Sequence, residues 1–441
     1  MCTEARPRWF FHHRSVRLES FSQWLCGDQL DRLRPFDKPD RRERDIGLAG
    51  FLWLGLLVAA YSHMRCLKEI FKETGKLIAD GTVLPLKLVT VSAFSQFRQG
   101  FPVRCLLRLW AALAEQARQA VDDRHATWRG LHLWAIDGSG LRLPEELWPH
   151  FGAHKGCRGD GPAQGHLVLL YDLHARTPVK MRLGPYDKAK ERAFAPRLLS
   201  GLGAGDLLLI DRGFYSMKLF AYLDRRRLRF VIPMRKNGKP KRLCRWGSDD
   251  GLYEIHASKR YWKNTPGVPE AMTVRIVTAR RNGFSPRRLV TNLLDRDAFP
   301  ADEIAAVYHE RWHIETFYRE LKHVLEVERW HARTLHSFYA ELSFMMILAT
   351  LTRLAMADAA GAGCPPGSLS FGKSLMHVRY ALAVSAMLPA EQWPALYAEL
   401  LVEIRRHRID VRPNRHFERD RQKRRRQSRA RRTANLVGAS R

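Results

Sequence analysis

The chain has 441 residues, 45% of them hydrophobic, so it can bury a large core and is not wholly disordered. Its 75 Lys and Arg residues exceed its 45 Asp and Glu residues, and the formal net charge of +30 predicts a polyanionic partner, with nucleic acid favoured. The sequence shows neither a lipidation motif nor a basic amphipathic anchor, so no membrane partner is predicted. Seven scattered cysteines without a CxxC pair, and a start unlike a secretory signal, predict a cytoplasmic protein with reduced thiols.

Residues 1–126 are predicted to form a mostly helical auxiliary region that binds DNA. Residues 46–64 carry no Asp, Glu, Lys or Arg and are long enough for a membrane span, but their glycines and polar residues favour a buried core helix. Residues 92–110 are typical of two short helices. Three of their arginines are predicted to be exposed, either along DNA or on an ordinary packing unit: Arg98, Arg104 and Arg108.

Residues 127–233 alternate strands and helices in an order that predicts an α/β domain. The predicted elements are strands at 131–137, 166–172 and 178–183, a helix at 190–202, a strand at 206–211, a helix at 216–226 and a strand at 229–233. This order predicts a mixed sheet that begins antiparallel and continues parallel. The strand at 206–211 is short and apolar, as expected of a strand that is buried on both faces.

Changes in hydrophobic pattern and in charge divide residues 234–441 into four predicted regions. They are a β-rich insertion at 234–287, a return to the α/β domain at 288–360, a helical C-terminal region at 361–404 and a basic tail at 405–441. Two Asn-Gly pairs, at 237–238 and 282–283, predict hairpin turns in or beside the insertion. Residues 405–432 hold 14 Lys and Arg residues against three acids. That composition is typical of a tail that contacts phosphates, with a solubilising tail as the alternative.

The stretch from Tyr308 to Lys322 has the most informative spacing in the chain. In a helix, residues three, four or seven positions apart return to nearly the same direction. One face would therefore carry four functional groups: Tyr308, Arg311, Glu315 and Lys322. A carboxylate flanked by two cations and a phenol suits a metal ligand beside a phosphate, which favours phosphodiester chemistry. The alternative is an ordinary charged helix face with ion pairs.

Three carboxylates are predicted to meet at one edge of the sheet. Asp137 ends the first predicted strand, Asp211 ends the buried strand, and Glu315 lies on the later helix. Parallel neighbours bring their carboxyl ends together, and a helix across that edge would add the third acid. Such hard oxygen ligands would hold two Mg²⁺ or Mn²⁺ ions for an in-line displacement. Taken singly, Asp137 could be a turn residue and Asp211 half of a surface ion pair. Four rival acids rank lower: Asp172, Asp187, Glu310 and Glu320.

Three blocks of the sequence resemble the signatures of bacterial insertion-sequence transposases of the DDE class. They are Ile136-Asp137-Gly-Ser, Ile210-Asp211-Arg-Gly-Phe-Tyr and Tyr308-x2-Arg311-x3-Glu315-x6-Lys322. The third is the most specific, since the group is named for its Tyr, Arg, Glu and Lys. Residues 92–99 and 412–417 are also similar to that family, and the resemblance extends over residues 45–430.

The resemblance implies an RNase H-like catalytic domain, formed by residues 127–233 and 288–360 and interrupted by the β-rich insertion. It implies that three acids are catalytic and bind the two Mg²⁺ or Mn²⁺ ions: Asp137, Asp211 and Glu315. The residues expected to contact DNA are Tyr308, Arg311, Lys322, Trp312, Arg212, Lys236 and Lys239. Trp312 would stack on a flipped base, with Trp262 as a second candidate, and simple packing is the alternative for both.

The function implied by the resemblance is that of an insertion-sequence transposase. It would bind terminal inverted repeats, cut the transposon ends and join them to target DNA, as a homodimer on double-stranded DNA in the bacterial cytoplasm. Two alternatives stay open at this point. One is an RNase H-like nuclease that hydrolyses without joining, and the other is a catalytically silent DNA-binding regulator of transposition. The presence of all three acids disfavours the silent regulator.

Overall fold

A computed structural model describes residues 48–64, 66–79, 90–121, 127–152, 162–186, 188–235, 237–280, 285–360, 366–385, 388 and 392–409. The chain begins with four helices, α1 (Leu48–Ala60), α2 (Leu67–Ala79), α3 (Val91–Gly100) and α4 (Val103–Gln119). It continues through β1 (His132–Arg142), α5 (Trp148–Phe151), β2 (Gln164–Asp172), β3 (Thr177–Pro185), α6 (Lys188–Leu198), β4 (Asp206–Ile210), α7 (Met217–Arg225) and β5 (Arg229–Pro233). The predicted basic tail beyond residue 409, like residues 1–47, lies outside the described residues.

The second half of the chain adds four strands and six helices in the described part. They are β6 (Lys241–Arg245), β7 (Asp250–His256), α8 (Lys259–Asn264), β8 (Ala271–Ala279), β9 (Arg287–Thr291), α9 (Ala301–Val307), α10 (Trp312–His323), α11 (Leu335–Ala360), α12 (Phe371–Ser385) and α13 (Trp393–Arg406). The helical N-terminal and C-terminal regions predicted from the sequence are therefore confirmed for the described residues.

All nine strands form one sheet in the order β3-β2-β1-β4-β5-β9-β8-β7-β6. Strands β1, β2 and β3 pair antiparallel, whereas β1, β4 and β5 pair parallel. This is the change from antiparallel to parallel pairing that the element order predicts, and it confirms the mixed α/β class. The five-residue strand β4 is central, and Leu207, Leu208, Leu209 and Ile210 are all fully buried. Its apolar sequence fits burial on both faces.

The sheet is covered on both sides by helices, and each side has its own core. One core joins alternate residues of β1, β2 and β4 to α1, α4 and α11, and the other joins the remaining residues to α6 and α7. Helix α11 is long and apolar enough to cross a membrane, but 94% of its most apolar window is buried within the protein. Helix α1 is likewise buried from Phe51 to Ala60, as predicted for this apolar stretch. Both are core helices, apolar all round because protein surrounds them.

The region 234–287 continues the main sheet through β6, β7 and β8 before β9 returns to pair with β5. The prediction of a hairpin at Asn237-Gly238 is wrong, because the strands on either side of this turn pair with other strands. Strands β8 and β9 do pair as antiparallel neighbours, with Ala279 opposite Arg287. Their connection at 282–283 lies outside the described residues. The domain boundaries placed at 234 and 287 stay a prediction.

Arg98 of α3 is buried, which corrects the expectation of an exposed arginine there. Its side chain is 5% exposed, and its guanidinium lies 3.6 Å from a carboxylate oxygen of Glu341 in α11. Burial lowers the pKa of Arg98, against the effect of Glu341. The Arg98 side chain is buried because the carboxylate of Glu341, 243 positions later in the chain, faces it from α11. Arg104 and Arg108 of α4 are exposed as predicted.

The Glu341 carboxylate also forms hydrogen bonds with the segment at His331 and Ala332. It accepts hydrogen bonds from the backbone N–H groups of His331 and Ala332 and from Nδ1 of the His331 ring, at 2.8–3.2 Å. The other ring nitrogen lies 3.0 Å from the carbonyl oxygen of Met64. Both ring nitrogens therefore face acceptors, which favours the imidazolium form. Burial lowers the pKa of His331, but the hydrogen bonds and charge of Glu341 outweigh that effect and raise it, while Arg98 opposes them.

The stability contributed by His331 is expected to depend on pH. Because its pKa is raised on folding, the contribution is fully present below the unfolded value of 6.5 and is lost as pH rises through the folded value. We expect His331→Asn to cost about 1 kcal/mol more at about pH 5.5 than at about pH 9. Urea unfolding of both proteins at the two pH values measures this difference. An equal cost at both values would contradict it.

Candidate active site

Asp137 lies inside β1 and not at its end, so the predicted end of the strand is wrong. Pairing with β4 stops one residue earlier, at Ile136 opposite Ile210. Pairing with β2 continues for five residues beyond Asp137, to Arg142 opposite Gln164. The long antiparallel partner keeps β1 extended where the shorter parallel partner has already turned away. Asp137 is thus the first residue of β1 beyond the parallel pairing, at the carboxyl ends of the parallel strands β1 and β4.

Strand β4 ends at Ile210, one residue earlier than predicted, and Asp211 precedes a 3₁₀ turn at Arg212–Phe214. Its carboxylate accepts a hydrogen bond from the backbone N–H of Gly213 at 3.0 Å, which caps this turn. The apolar strand thus ends on a residue whose short side chain stabilises the turn that follows. Ile136 and Ile210 are register partners, so Asp137 and Asp211 occupy equivalent positions on neighbouring parallel strands.

The helix predicted from Tyr308 to Lys322 is interrupted. Residues Tyr308–Arg311 form a 3₁₀ turn between α9 and α10, and regular α-helix resumes at Trp312. Arg311 nevertheless pairs with Glu315 four residues later, and the side chains of Tyr308 and Lys322 contact the backbone of the strands that precede Asp211 and carry Asp137. Glu315 lies in the first turn of α10, where the helix dipole favours a carboxylate.

The guanidinium of Arg311 is the point at which the three acids come together. Its Nη1 lies 3.4 Å from Oδ2 of Asp137, and its Nη2 lies 4.0 Å from Oδ1 of Asp211. Nη2 also forms an ion pair with Oε1 of Glu315. The side chain of Arg311 is 8% exposed, and the negative charges around it raise its pKa against the effect of burial. The structure thus brings Asp137, Asp211 and Glu315 around one buried cation.

The triad of Asp137, Asp211 and Glu315 carries more negative charge than Arg311 neutralises. Three carboxylates against one guanidinium leave an excess of two charges when all are ionised. Burial raises the pKa of Asp137 to about 7, and its two acidic neighbours add to the rise, although Arg311 and the N–H of Gly138 lower it. A divalent cation with hard oxygen ligands would compensate this excess, so the donor set fits Mg²⁺ or Mn²⁺. In the described part of the chain, no three acidic, His or Cys side chains are already spaced as a metal cluster, because the guanidinium separates the carboxylates.

The metal-free protein is expected to lose stability as Asp137 ionises. Its folded-state pKa of about 7 lies above the ordinary value of 3.8, so the stability is present at low pH and is lost as pH rises towards 7. Asp137→Asn keeps the acceptor of the Gly138 N–H and cannot ionise. In EDTA we expect the stability of the variant relative to the wild type to increase by about 2 kcal/mol between about pH 5, where part of the loss has already occurred, and about pH 8. Urea unfolding at both pH values measures this increase, and a relative stability that stays constant or falls would contradict the expectation.

Tyr308 and Lys322 contact the protein backbone at the same edge of the sheet. The hydroxyl of Tyr308 donates to the carbonyl oxygen of Ile210 at 3.1 Å, and burial raises the pKa of Tyr308 to about 12. The ammonium of Lys322 donates to the carbonyl oxygen of Gly140 at 2.6 Å, and burial lowers the pKa of Lys322. These contacts hold α10 against the strands that carry the two aspartates. The assignment of both residues as phosphate ligands stays a prediction.

Tyr318 is a residue that the sequence reasoning missed. It lies one turn after Glu315 on α10 and is 6% exposed. Its hydroxyl lies 2.9 Å from the carbonyl oxygen of Asp137 and 3.0 Å from that of Leu167 in β2. In the sequence, the three-residue spacing from Glu315 is the feature that could have indicated Tyr318. Without knowledge of the strand that faces it, an aromatic residue on a helix is interpreted as a core residue.

The other residues predicted to contact DNA differ in their exposure. Trp312 begins α10 and is 51% exposed, as a stacking platform would need to be. Arg212 is partly buried in the turn after Asp211, and Lys239 is exposed in the loop before β6. Lys236 lies outside the described residues. Trp262 of α8 packs partly against the core formed with α7.

The rival acids have other partners. Asp172 is fully buried at the far end of the β1–β2 pairing, where its carboxylate contacts His132 at 2.6 Å and Arg118 at 3.0 Å. Glu310 pairs with His313 at 3.1 Å, and Glu320 pairs with Arg353 of α11. Asp187 lies outside the described residues. These contacts separate the three described rivals from the cluster around Arg311.

Residues 128–351, just over half of the chain, match the family model described as "Transposase DDE domain". The chain belongs to the DDE transposase family. The match includes all three acids of the triad, and it confirms the resemblance drawn from the three sequence blocks. Divalent metal ions serve the DDE domain in general. Family membership does not by itself assign a role to each residue of the triad.

Relatives of the chain include transposases of bacterial insertion sequences. The chain is 29% identical over 246 residues to the transposase InsG for insertion sequence element IS4 of Escherichia coli, which covers 55% of each chain. It is 30% identical over 170 residues to the putative transposase InsZ of Escherichia coli, covering 36% of this chain and 55% of that one. The chain spans about half the length of the curated relatives it matches. The expectation of an insertion-sequence DDE transposase is thereby confirmed at the level of the family.

Among solved structures, the chain is similar to the piggyBac transposase in its synaptic complex with hairpin DNA. That similarity has a TM-score of 0.43 with 12% sequence identity, and it covers 92% of this chain and 87% of the other.

Proposed function

We propose that this protein is an insertion-sequence transposase that binds terminal inverted repeats, cleaves the transposon ends and joins them to target DNA. The observation that carries the proposal is the convergence of Asp137, Asp211 and Glu315 at the carboxyl ends of the parallel strands β1 and β4, around the buried Arg311. The family match over residues 128–351, a range that includes the three acids, supports the proposal. The net charge of +30 supports double-stranded DNA as the partner. The reaction would take place in the cytoplasm, on a homodimer that holds both ends together.

Asp137, Asp211 and Glu315 would hold two Mg²⁺ or Mn²⁺ ions. When bound, such ions activate the attacking oxygen and stabilise the leaving oxygen of a phosphodiester. The protein's own part is to hold the three carboxylates at fixed positions on β1, after β4 and on α10. Arg311 supplies a positive charge beside the reacting phosphate, and its release from the carboxylates would free its donors for phosphate oxygens.

Three further side chains would contact the DNA: Trp312, Arg212 and Lys239. Trp312 offers an indole face next to Arg311, and Arg212 follows Asp211 directly. Lys239 supplies a further cation in the loop before β6. Cationic side chains position the phosphate backbone, whereas an exposed aromatic ring stacks on an unpaired base. We also assign Tyr308 and Lys322 to phosphate binding. Their hydrogen bonds to the backbone carbonyls of Ile210 and Gly140 would be replaced by hydrogen bonds to DNA phosphates.

A cleavage and joining reaction tests the proposal. Purified protein with Mg²⁺ is mixed with a short element that carries the inverted repeats found in the flanking genomic DNA, together with a target plasmid. End cleavage and a joined product support the proposal. Cleavage without joining would identify a nuclease. Binding without cleavage, unchanged by Asp137→Ala, would identify a silent regulator.

A further inference from the structure

We propose that Tyr318 is a positioning residue for the acidic triad, and that its hydroxyl sets the placement of Asp137 relative to Glu315. The proposal rests on the proposed function, since it concerns the geometry of the same site. Tyr318 lies on α10 three residues after Glu315, so both side chains leave the helix in similar directions. One of them enters the triad, and the other reaches the backbone of the strand that carries Asp137.

The hydroxyl of Tyr318 is placed between two strands. It lies 2.9 Å from the carbonyl oxygen of Asp137 in β1 and 3.0 Å from the carbonyl oxygen of Leu167 in β2. A phenol has one proton, so it donates to either carbonyl in turn or to both at once. The contact holds α10, β1 and β2 together at the point where β1 has lost its parallel partner.

Neighbouring contacts show why this hydroxyl matters for Asp137 in particular. The contact from Tyr308 holds Ile210, next to Asp211, and the contact from Lys322 holds Gly140, three residues after Asp137. The hydroxyl of Tyr318 reaches the carbonyl oxygen of Asp137 itself. The Asp137 carboxylate accepts a hydrogen bond from the backbone N–H of Gly138 at 2.8 Å. The position of the β1 backbone at Asp137 therefore also fixes the orientation of this carboxylate.

Burial makes the contact energetically significant. Tyr318 is 6% exposed and its ring belongs to the core between the sheet and α11. Removing its hydroxyl leaves two inward carbonyl oxygens without this donor, in a place that water reaches poorly. The ring of phenylalanine would fill the same space, so the expected effect is a shift of the strand at Asp137 and not a collapse of the core.

Tyr318→Phe tests the proposal, with Tyr397→Phe as the matched control. Tyr397 is 5% exposed, and its hydroxyl donates to Asp358 at 2.8 Å, away from the triad. Mn²⁺ binding to the full chain without DNA is measured by calorimetric titration, and thermal unfolding is measured in EDTA. We expect Tyr318→Phe to weaken Mn²⁺ binding about tenfold, the effect typical of a residue that orients a metal ligand. We expect Tyr397→Phe to bind Mn²⁺ as the wild type does, although both variants unfold at lower temperatures.

Amide hydrogen exchange adds a readout that does not depend on metal. In Tyr318→Phe, peptides that cover residues 136–142 should exchange about threefold faster or more, while peptides that cover β4 should not change. Unchanged Mn²⁺ affinity, or equal loss in both variants, would overturn the proposal, as would unchanged exchange at 136–142. The wild-type cleavage reaction decides the proposed function, whereas Mn²⁺ affinity and exchange decide the role of Tyr318, so either can fail without the other.

Discussion

Glu315→Gln is expected to reduce the rate of DNA end cleavage by about 10³-fold in saturating Mg²⁺. Glutamine keeps the length of the side chain and one oxygen acceptor, but it removes the charge that the triad contributes from α10. Affinity for the terminal repeat should change by less than about threefold, because phosphate contacts come mainly from cationic side chains. Cleavage of a labelled end and binding to the same DNA by gel shift measure the two effects.

The control for this variant is Glu310→Gln. Glu310 lies five residues earlier, is exposed, and pairs with His313 instead of Arg311. Its replacement changes the net charge by the same amount near the same helix, so a nonspecific charge effect on DNA binding would appear in both variants. We expect Glu310→Gln to cleave within about twofold of the wild type. Cleavage by Glu315→Gln within about tenfold of the wild type would contradict the assignment of Glu315 to the catalytic triad.

The features that the sequence predicts correctly are those that depend on residues close together in the chain. The element order predicted the change from antiparallel to parallel pairing, and the apolar run before Asp211 predicted the central strand β4. Because β1 and β4 are parallel neighbours, two residues that follow Ile136 and Ile210 must occupy equivalent positions at one edge. A pattern of apolar residues and two short polar side chains was enough to place this part of the site.

The predictions that were wrong all depended on distant partners. Whether β1 continues beyond Asp137 is decided by its pairing with β2, which local propensity does not show. The 3₁₀ turn at Tyr308–Arg311 interrupts a sequence with helical spacing, and Arg311, which pairs with Glu315 four residues later, also contacts Asp137, 174 positions earlier in the chain. Arg98 is buried because Glu341 faces it from another helix. In each case the deciding contact joins residues that are far apart in the chain.

Arg311→Ala is expected to destabilise the metal-free protein by about 2 kcal/mol at about pH 8, because it removes the cation that lies between three partly buried carboxylates. The side chain of Asp137 is 18% exposed, so water screens its charge poorly, whereas Glu315 and Asp211 are 31% and 45% exposed and are better screened. Loss of Arg311 would also raise the pKa of Asp137 further, since Arg311 is the main charge that lowers it. The destabilisation should therefore be smaller at about pH 5, where the proton compensates part of the charge.

Mg²⁺ should restore much of the stability of Arg311→Ala, since a divalent cation takes over the charge of the missing guanidinium. Arg353→Ala is the matched control. Arg353 also has a side chain that is 8% exposed, but it pairs with the single carboxylate of Glu320 away from the triad. Both variants should be less stable than the wild type in EDTA, and only Arg311→Ala should gain more from Mg²⁺ than the wild type gains. Urea unfolding in EDTA and in Mg²⁺ provides the comparison.

The same comparison shows whether the guanidinium and the metal ion compete for one position. If Arg311 neutralises the triad only until divalent cations bind, its removal should strengthen Mg²⁺ binding while it weakens the metal-free fold. If instead Arg311 and the metal ion lie side by side in the working site, its removal should weaken the fold without changing the gain from Mg²⁺. An equal gain in Arg311→Ala, Arg353→Ala and the wild type would exclude competition. The excess negative charge of the triad and its separation by the guanidinium both favour competition.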